Sequence, residues 1–167
     1  MSATYLNTIV GIIGIFVGIV ATLVTIWTMS KKKIITITTR TQLYCSSAMS
    51  GTFTFDYSNN DGEYVIGKGA SIFRTRWSKS SDTSIHAYKD GTGITAIALL
   101  KDVGDIQSIK EIEGDFSSRV RTPRIGDAIV WKNDKGNYAI TKVMSIKDDT
   151  RGSKHDELTC DYVIIKD

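Results

Sequence analysis

Two patterns of apolar residues divide the chain. From Ile9 to Met29 the sequence runs for 21 residues without a charged side chain. At 1.5 Å per residue, a helix of that length spans about 31 Å, which matches the hydrocarbon core of a bilayer. From Ile34 onward apolar and polar residues alternate, and a period of two is typical of β-strands with one buried face. The pattern predicts a membrane-spanning helix followed by a β-rich domain.

The residues that flank the uncharged run set its predicted topology. Lys31, Lys32 and Lys33 follow the run, and the positive-inside rule places such a cluster on the cytoplasmic side. Trp27 suits the same membrane interface. No Lys or Arg precedes the run, which argues against a cleaved signal peptide. We therefore expect a transmembrane helix in residues 1–30 with its span at about 8–29, a basic stop at 31–33, and a cytoplasmic domain at 34–167.

The predicted span carries its smallest residues along one line. These residues recur at steps of three or four and are Gly11, Gly14, Gly18, Ala21, Thr25 and Thr28. Small residues let helix backbones approach closely in lipid, and a spacing near 3.5 residues favours a left-handed helix pack. We therefore predict a homo-oligomer assembled within the lipid bilayer. The alternative is a simple anchor in which the glycines share a line by chance.

The soluble part predicts eight or nine short strands. Residues 34–41 (“IITITTRT”) and 52–59 (“TFTFDYSN”) show the alternation most clearly. Residues 59–62 (“NNDG”) predict a hairpin turn back into “EYVIGKG”, and residues 135–137 predict a second turn. One short helix is expected at 105–112, with Asp105 as its N-cap. Many antiparallel strands with turns between them predict a mainly β fold, either a small barrel or a sandwich.

Charge and cysteine content exclude some classes of function. The chain has 21 Lys and Arg against 18 Asp and Glu, a net charge of +3. Lys31, Lys32 and Lys33 account for that whole excess, so the domain itself is balanced and bulk nucleic-acid binding is not expected. Two cysteines are too few for a disulfide framework.

Signatures of enzymes and metal sites are missing from the sequence. The chain has no P-loop, no Gly-x-Ser-x-Gly turn and no Cys-x-x-Cys pair, and its only histidines are His86 and His155. An acidic group in residues 148–157 matches no standard metal loop, and we expect a solvated hairpin connection there. These observations predict no catalysis, no metal and no cofactor. A membrane-anchored hydrolase would depend only on His86 and the acidic group.

Two arginine-rich segments predict a ligand-binding site. In residues 73–88, Arg74 and Arg76 share one strand face while Trp77 lies on the other, and residues 119–124 add three more arginines. Guanidinium groups, hydroxyls and an aromatic face suit a phosphate-bearing small ligand. The candidate binding residues are Arg74, Arg76, Trp77, Ser78, Lys79, Ser80, Arg119, Arg121 and Arg124. The alternative is ordinary strand faces whose arginines are balanced by nearby carboxylates.

The soluble domain resembles two groups of known proteins. Residues 123–146 (“PRIGDAIVWKNDKGNYAITKVMSI”) resemble the strand–turn–strand unit of small SH3-like barrels. The segments “FDYSNNDGEYVIGKG”, “WSKSSDTSIHAY”, “RTPRIGDAIV” and “IKDDTRGS” resemble a small β-rich module of bacterial proteins, which is sometimes joined to Toll/interleukin-receptor-like signalling domains. That module has no established activity, so the resemblance assigns no functional residues.

The predicted architecture is also similar to that of membrane effectors of bacterial antiphage systems. These include β-barrel effectors triggered by cyclic oligonucleotides and small membrane effectors of type III CRISPR. The similarity implies a single-pass protein of the bacterial inner membrane, with its N-terminus outside, that perturbs the membrane on a signal. Its implied partners are a nucleotide second messenger or an upstream defence protein. The alternative is a membrane-tethered adaptor that has no membrane-disrupting activity.

Overall fold

A computed structural model of the chain describes residues 44–165. The predicted span with its line of small residues, Trp27, the three lysines and the predicted strand at 34–41 lie outside the described residues. Between Tyr44 and Ile165, no helix is long and apolar enough to cross a bilayer. This part of the chain is mainly β, as predicted, and its helical elements are 3₁₀ turns at Asn60–Gly62, Gly69–Ser71, Ile106–Ser108 and Asp149–Arg151.

Within residues 44–165, ten strands form two five-stranded sheets in a sandwich-like arrangement. Sheet A contains, in spatial order, β1 (Cys45–Ser46), β3 (Glu63–Ile66), β4 (Phe73–Lys79), β5 (Ile85–Tyr88) and β7 (Val120–Arg121). Sheet B contains β2 (Ser50–Phe55), β10 (Glu157–Ile165), β9 (Tyr138–Lys147), β8 (Ala128–Asn133) and β6 (Ile94–Leu100). Neighbouring strands are antiparallel except β1 and β3, which are parallel.

The core lies between the inner faces of the two sheets. Trp77 of sheet A and Trp131 of sheet B meet edge to face, with ring centroids 5.2 Å apart. Each buried indole needs a hydrogen-bond acceptor, and a threonine supplies it. Trp77 Nε1 donates to Thr75 Oγ1 at 2.9 Å, and Trp131 Nε1 donates to Thr141 Oγ1 at 2.8 Å. The large aromatic area is therefore buried without an unsatisfied donor.

Part of the outer face of sheet B is also apolar, and residues 103–116, here named the strap, cover it. The sheet side of this second cluster consists of Ala98, Ala128, Val130 and Ile140. The strap packs against it with Val103, Ile106, Ile109, Ile112 and Phe116. Gly114 approaches so closely that an added Cβ would lie 2.8 Å from the Cβ of Ala98. The strap thus buries the apolar part of this face, while the part formed by β2 and β10 carries exposed or half-buried polar residues such as Thr54 and Asp161.

The prediction of a hairpin at residues 59–62 is wrong, because the strands on either side of this turn do not pair with each other. The turn itself forms, with left-handed φ values of 51° at Asn60, 55° at Asp61 and 67° at Gly62. However, β2 pairs with β10 and β3 pairs with β4, so the turn carries the chain from one sheet to the other. Turn residues favour a local reversal, but distant strands decide the pairing. The turn predicted at 135–137 is confirmed within the β8–β9 hairpin.

The helix predicted at residues 105–112 is wrong beyond its first turn. Asp105 does cap a turn, because its carboxylate accepts the backbone N–H of Gln107 at 2.8 Å. The 3₁₀ turn then ends at Ser108. A helix of eight residues is marginal in water, and here the isoleucines bury themselves against the sheet without helical backbone. The apolar spacing therefore marked a packing surface rather than a helix.

Candidate ligand-binding clefts

The outer face of sheet A carries some of the predicted binding residues. Because side chains alternate along β4, Arg74, Arg76 and Ser78 point outward while Trp77 points into the core. Trp77 is only 1% exposed, so its ring is removed from the candidate ligand surface. The strand register places Tyr88 opposite Arg76. The prediction that the two arginines share a face is confirmed.

A cleft of about 470 Å³ opens on this face and is here named the outer-face cleft. The polar groups that line it include Ser58, Asp61, Arg76, Ser78, Tyr88, Asp90 and Arg119. Arg119 binds Asp90 through two nitrogens, Nε at 2.9 Å and Nη2 at 2.5 Å, and holds the pKa of that carboxyl below its usual value. Arg76 lies 3.6 Å from Asp61. Two guanidinium groups thus face two carboxylates, and the cleft is electrically balanced.

A second cleft, of about 510 Å³, lies where the two sheets meet at their edges and is here named the mouth cleft. Strand β7 is the edge of sheet A, β6 is the edge of sheet B, and the two are in contact. Arg121 pairs in register with Ala87, which is fully buried, so the arginine also points toward the inside of the sandwich. The lining groups include Leu99, Lys101, Asp102, Val120, Arg121, Thr122, Arg124 and Asp127.

The cations of the mouth cleft are less completely paired than those of the outer-face cleft. Arg121 binds the carboxylate of Asp115 at 2.8 Å and also donates to its backbone carbonyl. Its Nε is buried and has no hydrogen-bond partner among residues 44–165. Over the same residues, neither Lys101 nor Arg124 forms an ion pair with a carboxylate. Three cations and two carboxylates therefore line this cleft.

Asp127 holds the walls of the mouth cleft together. It is 7% exposed, and its two carboxylate oxygens accept the backbone N–H of Asp102 at 3.0 Å and of Arg124 at 2.9 Å. The carbonyl of Gly126 accepts the N–H of Val103 at 3.1 Å. These bonds join the loop after β6 to the segment before β8. As a result, Lys101 and Arg124, which lie far apart in sequence, border one cleft.

Lys79 belongs to a separate ionic cluster. Its Nζ lies 3.1 Å from Asp148, 2.5 Å from Asp149 and 3.0 Å from Asp156. The Thr150 hydroxyl, with Lys79 and Arg151, holds the pKa of Asp148 well below its usual value. Burial opposes the charge on Asp156, but hydrogen bonds outweigh burial and the pKa of Asp156 is also lowered.

This cluster joins β4 to the connection between β9 and β10. The acidic group predicted at 148–157 divides, because three of its carboxylates lie within 4.8 Å of one another while His155 pairs with Glu157 at 3.2 Å. The ammonium of Lys79 occupies the position that a bound cation would need. A structural role in holding the two sheets together accounts for Lys79, and it does not line either cleft.

The remaining predicted residues make local contacts. Arg74 binds Glu63 of the neighbouring strand at 2.9 Å, and Ser80 lies 3.2 Å from the hydroxyl of Ser84. His86 lies in β5, with Nδ1 at 2.9 Å from the Thr122 hydroxyl. Five of the nine predicted binding residues therefore line the two clefts, Lys79 belongs to the ionic cluster, Trp77 belongs to the core, and Arg74 and Ser80 make only local contacts.

Sequence reasoning missed several groups that line the two clefts or pair with their arginines. Asp90, Lys101 and Asp115 follow or precede strands, in segments where charged residues are common and carry no specific signal. Tyr88 was identifiable, because it follows His86 by one strand period and so shares its face. Its place beside Arg76, however, depends on the pairing of β4 with β5.

The chain matches no protein-family model, no curated protein and no solved structure. Its function therefore has to rest on the chemistry of the two clefts and on the predicted membrane segment.

Proposed function

We propose that this protein is a membrane-anchored bacterial defence effector. Its β-sandwich senses a nucleotide-like signal or a protein trigger, and its transmembrane helices self-associate to perturb the inner membrane. The observation that carries the proposal is the 21-residue uncharged run, whose small residues lie on one line. Three lysines follow this run, and the β-rich domain that comes after them has two clefts lined by guanidinium groups. The antiphage role is supported by the similarity of this architecture to known membrane effectors.

The arrangement of the sandwich supports binding on the sheet A side. The strap already occupies the apolar part of the outer face of sheet B, where Ile106 and Phe116 join the cluster that contains Val130 and Ile140. The two larger clefts lie on the outer face of sheet A and at the mouth between β6 and β7, and a smaller one of about 350 Å³, which has no arginine in its lining, lies beside the strap. A trigger that binds there must favour the assembled state through a difference in affinity, because equal affinity for both states shifts nothing.

The test is to block close approach of the helices in the full chain. We expect Gly14→Leu with Gly18→Leu to abolish assembly in native mass spectrometry and dye entry into expressing bacteria, because leucine side chains hold the backbones apart. Ile12→Leu with Phe16→Leu is the matched control, since these positions lie off the line of small residues. Undiminished assembly and dye entry in the glycine variant would exclude the effector function.

The second candidate is a membrane-tethered adaptor whose β-sandwich binds a protein partner. The balanced outer-face cleft favours it, since two paired guanidinium and carboxylate groups suit a mixed protein surface better than an anion. Replacing residues 1–30 with an unrelated single span separates the two candidates. An adaptor keeps its protection of cells against phage after this exchange, whereas the effector loses it.

A further inference from the structure

We propose that the mouth cleft binds a phosphate-bearing small molecule through Lys101, Arg121 and Arg124, and that the bound phosphate takes the place of Asp115 on Arg121. The inference deepens the proposed function, on which it rests, by giving the trigger a chemical class and a site.

The first support is the charge of the cleft. Lys101 and Arg124 border it without an ion pair among the described residues, so an arriving anion displaces no carboxylate from either of them. Of the two acidic groups in the lining, Asp127 already accepts two backbone N–H groups and is buried. Asp102 is exposed and remains as an opposing charge. The lining thus carries three cations against two carboxylates, and two of those cations have no ion pair among residues 44–165.

The second support is the condition of Arg121. Its side chain is 18% exposed, points toward the inside of the sandwich and leaves Nε buried without a partner among residues 44–165. An unsatisfied buried donor costs about 1–3 kcal/mol. A small rotation of the guanidinium toward an anion in the cleft would give Nε an acceptor. Its present partner, Asp115, is 65% exposed, so water competes for that carboxylate and exchange is easy.

The third support is the contrast with the outer-face cleft. There, Arg119 donates hydrogen bonds to Asp90 from two of its nitrogens, and Arg76 faces Asp61. A phosphate entering that cleft meets two carboxylates beside two occupied guanidinium groups. The mouth cleft is also large enough for a small ligand, at about 510 Å³, and Leu99 and Val120 supply an apolar wall.

The proposed exchange has a structural consequence. Asp115 belongs to the strap, which covers the apolar part of the outer face of sheet B. Arg121 binds both its carboxylate and its backbone carbonyl, so this arginine ties the end of the strap to the edge of sheet A. When a phosphate occupies Arg121, that tie is weakened. Ligand binding at the mouth is thereby connected to the cover of the other sheet.

The experiment is calorimetry on the full chain in phosphatidylcholine nanodiscs. Pyrophosphate and AMP are the probes, and adenosine is the comparator that lacks phosphate. We expect both phosphate probes to bind to the wild type and adenosine not to bind. In the double variant Lys101→Gln with Arg124→Gln, the affinity for the phosphate probes should fall about tenfold for each cation removed. Both side chains are exposed, so circular dichroism should show an unchanged fold. Lys135→Gln, which removes an exposed cation from the β8–β9 turn, should leave affinity unchanged.

A further variant separates phosphate binding from a merely structural role of Arg121. Asp115→Asn keeps an oxygen for the backbone N–H of Ser117 and removes the competing charge. We expect this variant to bind pyrophosphate more tightly, by up to about fivefold. Loss of affinity would instead show that the Asp115 pair is required for the site and would overturn the exchange.

Three other results would overturn the inference. These are absence of binding by wild type, unchanged affinity in Lys101→Gln with Arg124→Gln, and loss of affinity in Arg76→Gln, which would place the ligand in the outer-face cleft. Because calorimetry does not depend on assembly, the Gly14→Leu, Gly18→Leu variant should still bind the probes. Binding without membrane perturbation would remove the effector function and leave the site intact.

Discussion

The two outer faces of the sandwich differ in how they meet their surroundings. The outer face of sheet B has an apolar region that includes Val130 and Ile140, and the strap covers this region. Sheet A presents Arg74, Arg76 and Tyr88, which are half-buried and polar, with a cleft between its strands and loops. The strap therefore shields the apolar surface of sheet B from water. The other face and the mouth remain accessible for recognition.

A valine-to-aspartate substitution on each outer face should show the largest difference in stability between the two faces. We expect Val130→Asp to destabilise the fold by about 4 kcal/mol or more, because it places an unpaired charge beneath the strap. Val65→Asp lies on the outer face of sheet A opposite Arg74, and should change stability by no more than about 0.5 kcal/mol. Thermal unfolding followed by tryptophan fluorescence measures both. Similar losses in the two variants would contradict the assignment of the faces.

The ionic cluster around Lys79 should give the next largest effect. Lys79→Met leaves Asp148 and Asp156 buried without the ammonium, so we expect a lower Tm at pH 7. Lys147→Met removes an exposed partner of Glu157 and is the control. A Tm equal to that of wild type would show that the cluster does not hold the sheets together.

The pH dependence of the same cluster sharpens this prediction. Asp148 and Asp156 have folded-state pKa values below their usual range, so their stabilising contribution is complete above the unfolded pKa of about 3.9 and is lost as the pH falls through the folded values. The Tm of wild type should therefore fall as the pH drops below about 4. The gap to Lys79→Met should narrow over the same range, because protonated carboxyls no longer need the ammonium. A gap that widens with acid would contradict the assignment.

Substitutions at two glycines of the strap, Gly114 and Gly104, should have a smaller effect on stability and can be compared directly. An added Cβ at Gly114 meets Ala98 at 2.8 Å, whereas one at Gly104 meets nothing within 4 Å. We expect Gly114→Val to lift the strap and to cost about 1–3 kcal/mol, with faster hydrogen exchange in the strap. Gly104→Val should be near neutral. Equal exchange rates in the two variants would show that the strap does not seal sheet B.

The smallest effect should come from the exposed ion pair of sheet A. Arg76 and Asp61 are 3.6 Å apart and accessible to water. We expect Arg76→Gln to change the free energy of unfolding by about 0.5 kcal/mol or less in urea titration. A loss of several kcal/mol would mean that this face is part of the structural framework rather than an accessible surface.

The strands were predictable because their signal is local. The alternation in “FRTRWSK” places Arg74 and Arg76 on one face and Trp77 on the other, as the structure has them. The pairing of the strands was not predictable in the same way. Strand β2 pairs with β10, from which it is separated by most of the domain, and no turn residue near 59–62 encodes that choice. The two-residue strands β1 and β7 are too short to show a period.

The clefts were predictable only in part, because folding assembles them from separate segments. Arg121 and Arg124 were expected to bind a ligand, and they do line one cleft. Lys101 lies beside them because the Asp127 carboxylate accepts backbone N–H groups from the two loops that carry Lys101 and Arg124. Such a contact between loops has no sequence signature. The carboxylates that neutralise Arg76 and Arg119 were equally hidden. Sequence composition indicated the chemistry, and the pairing of charges decided where an anion fits.

Hydrogen–deuterium exchange of the full chain in phosphatidylcholine nanodiscs, with and without pyrophosphate, tests most directly whether the mouth cleft connects the two faces. We predict slower exchange in residues 99–102 and 120–127, where the phosphate binds, together with faster exchange in the strap. Slower exchange confined to residues 57–62 and 76–90, or no change in either the mouth or the strap, would contradict this account.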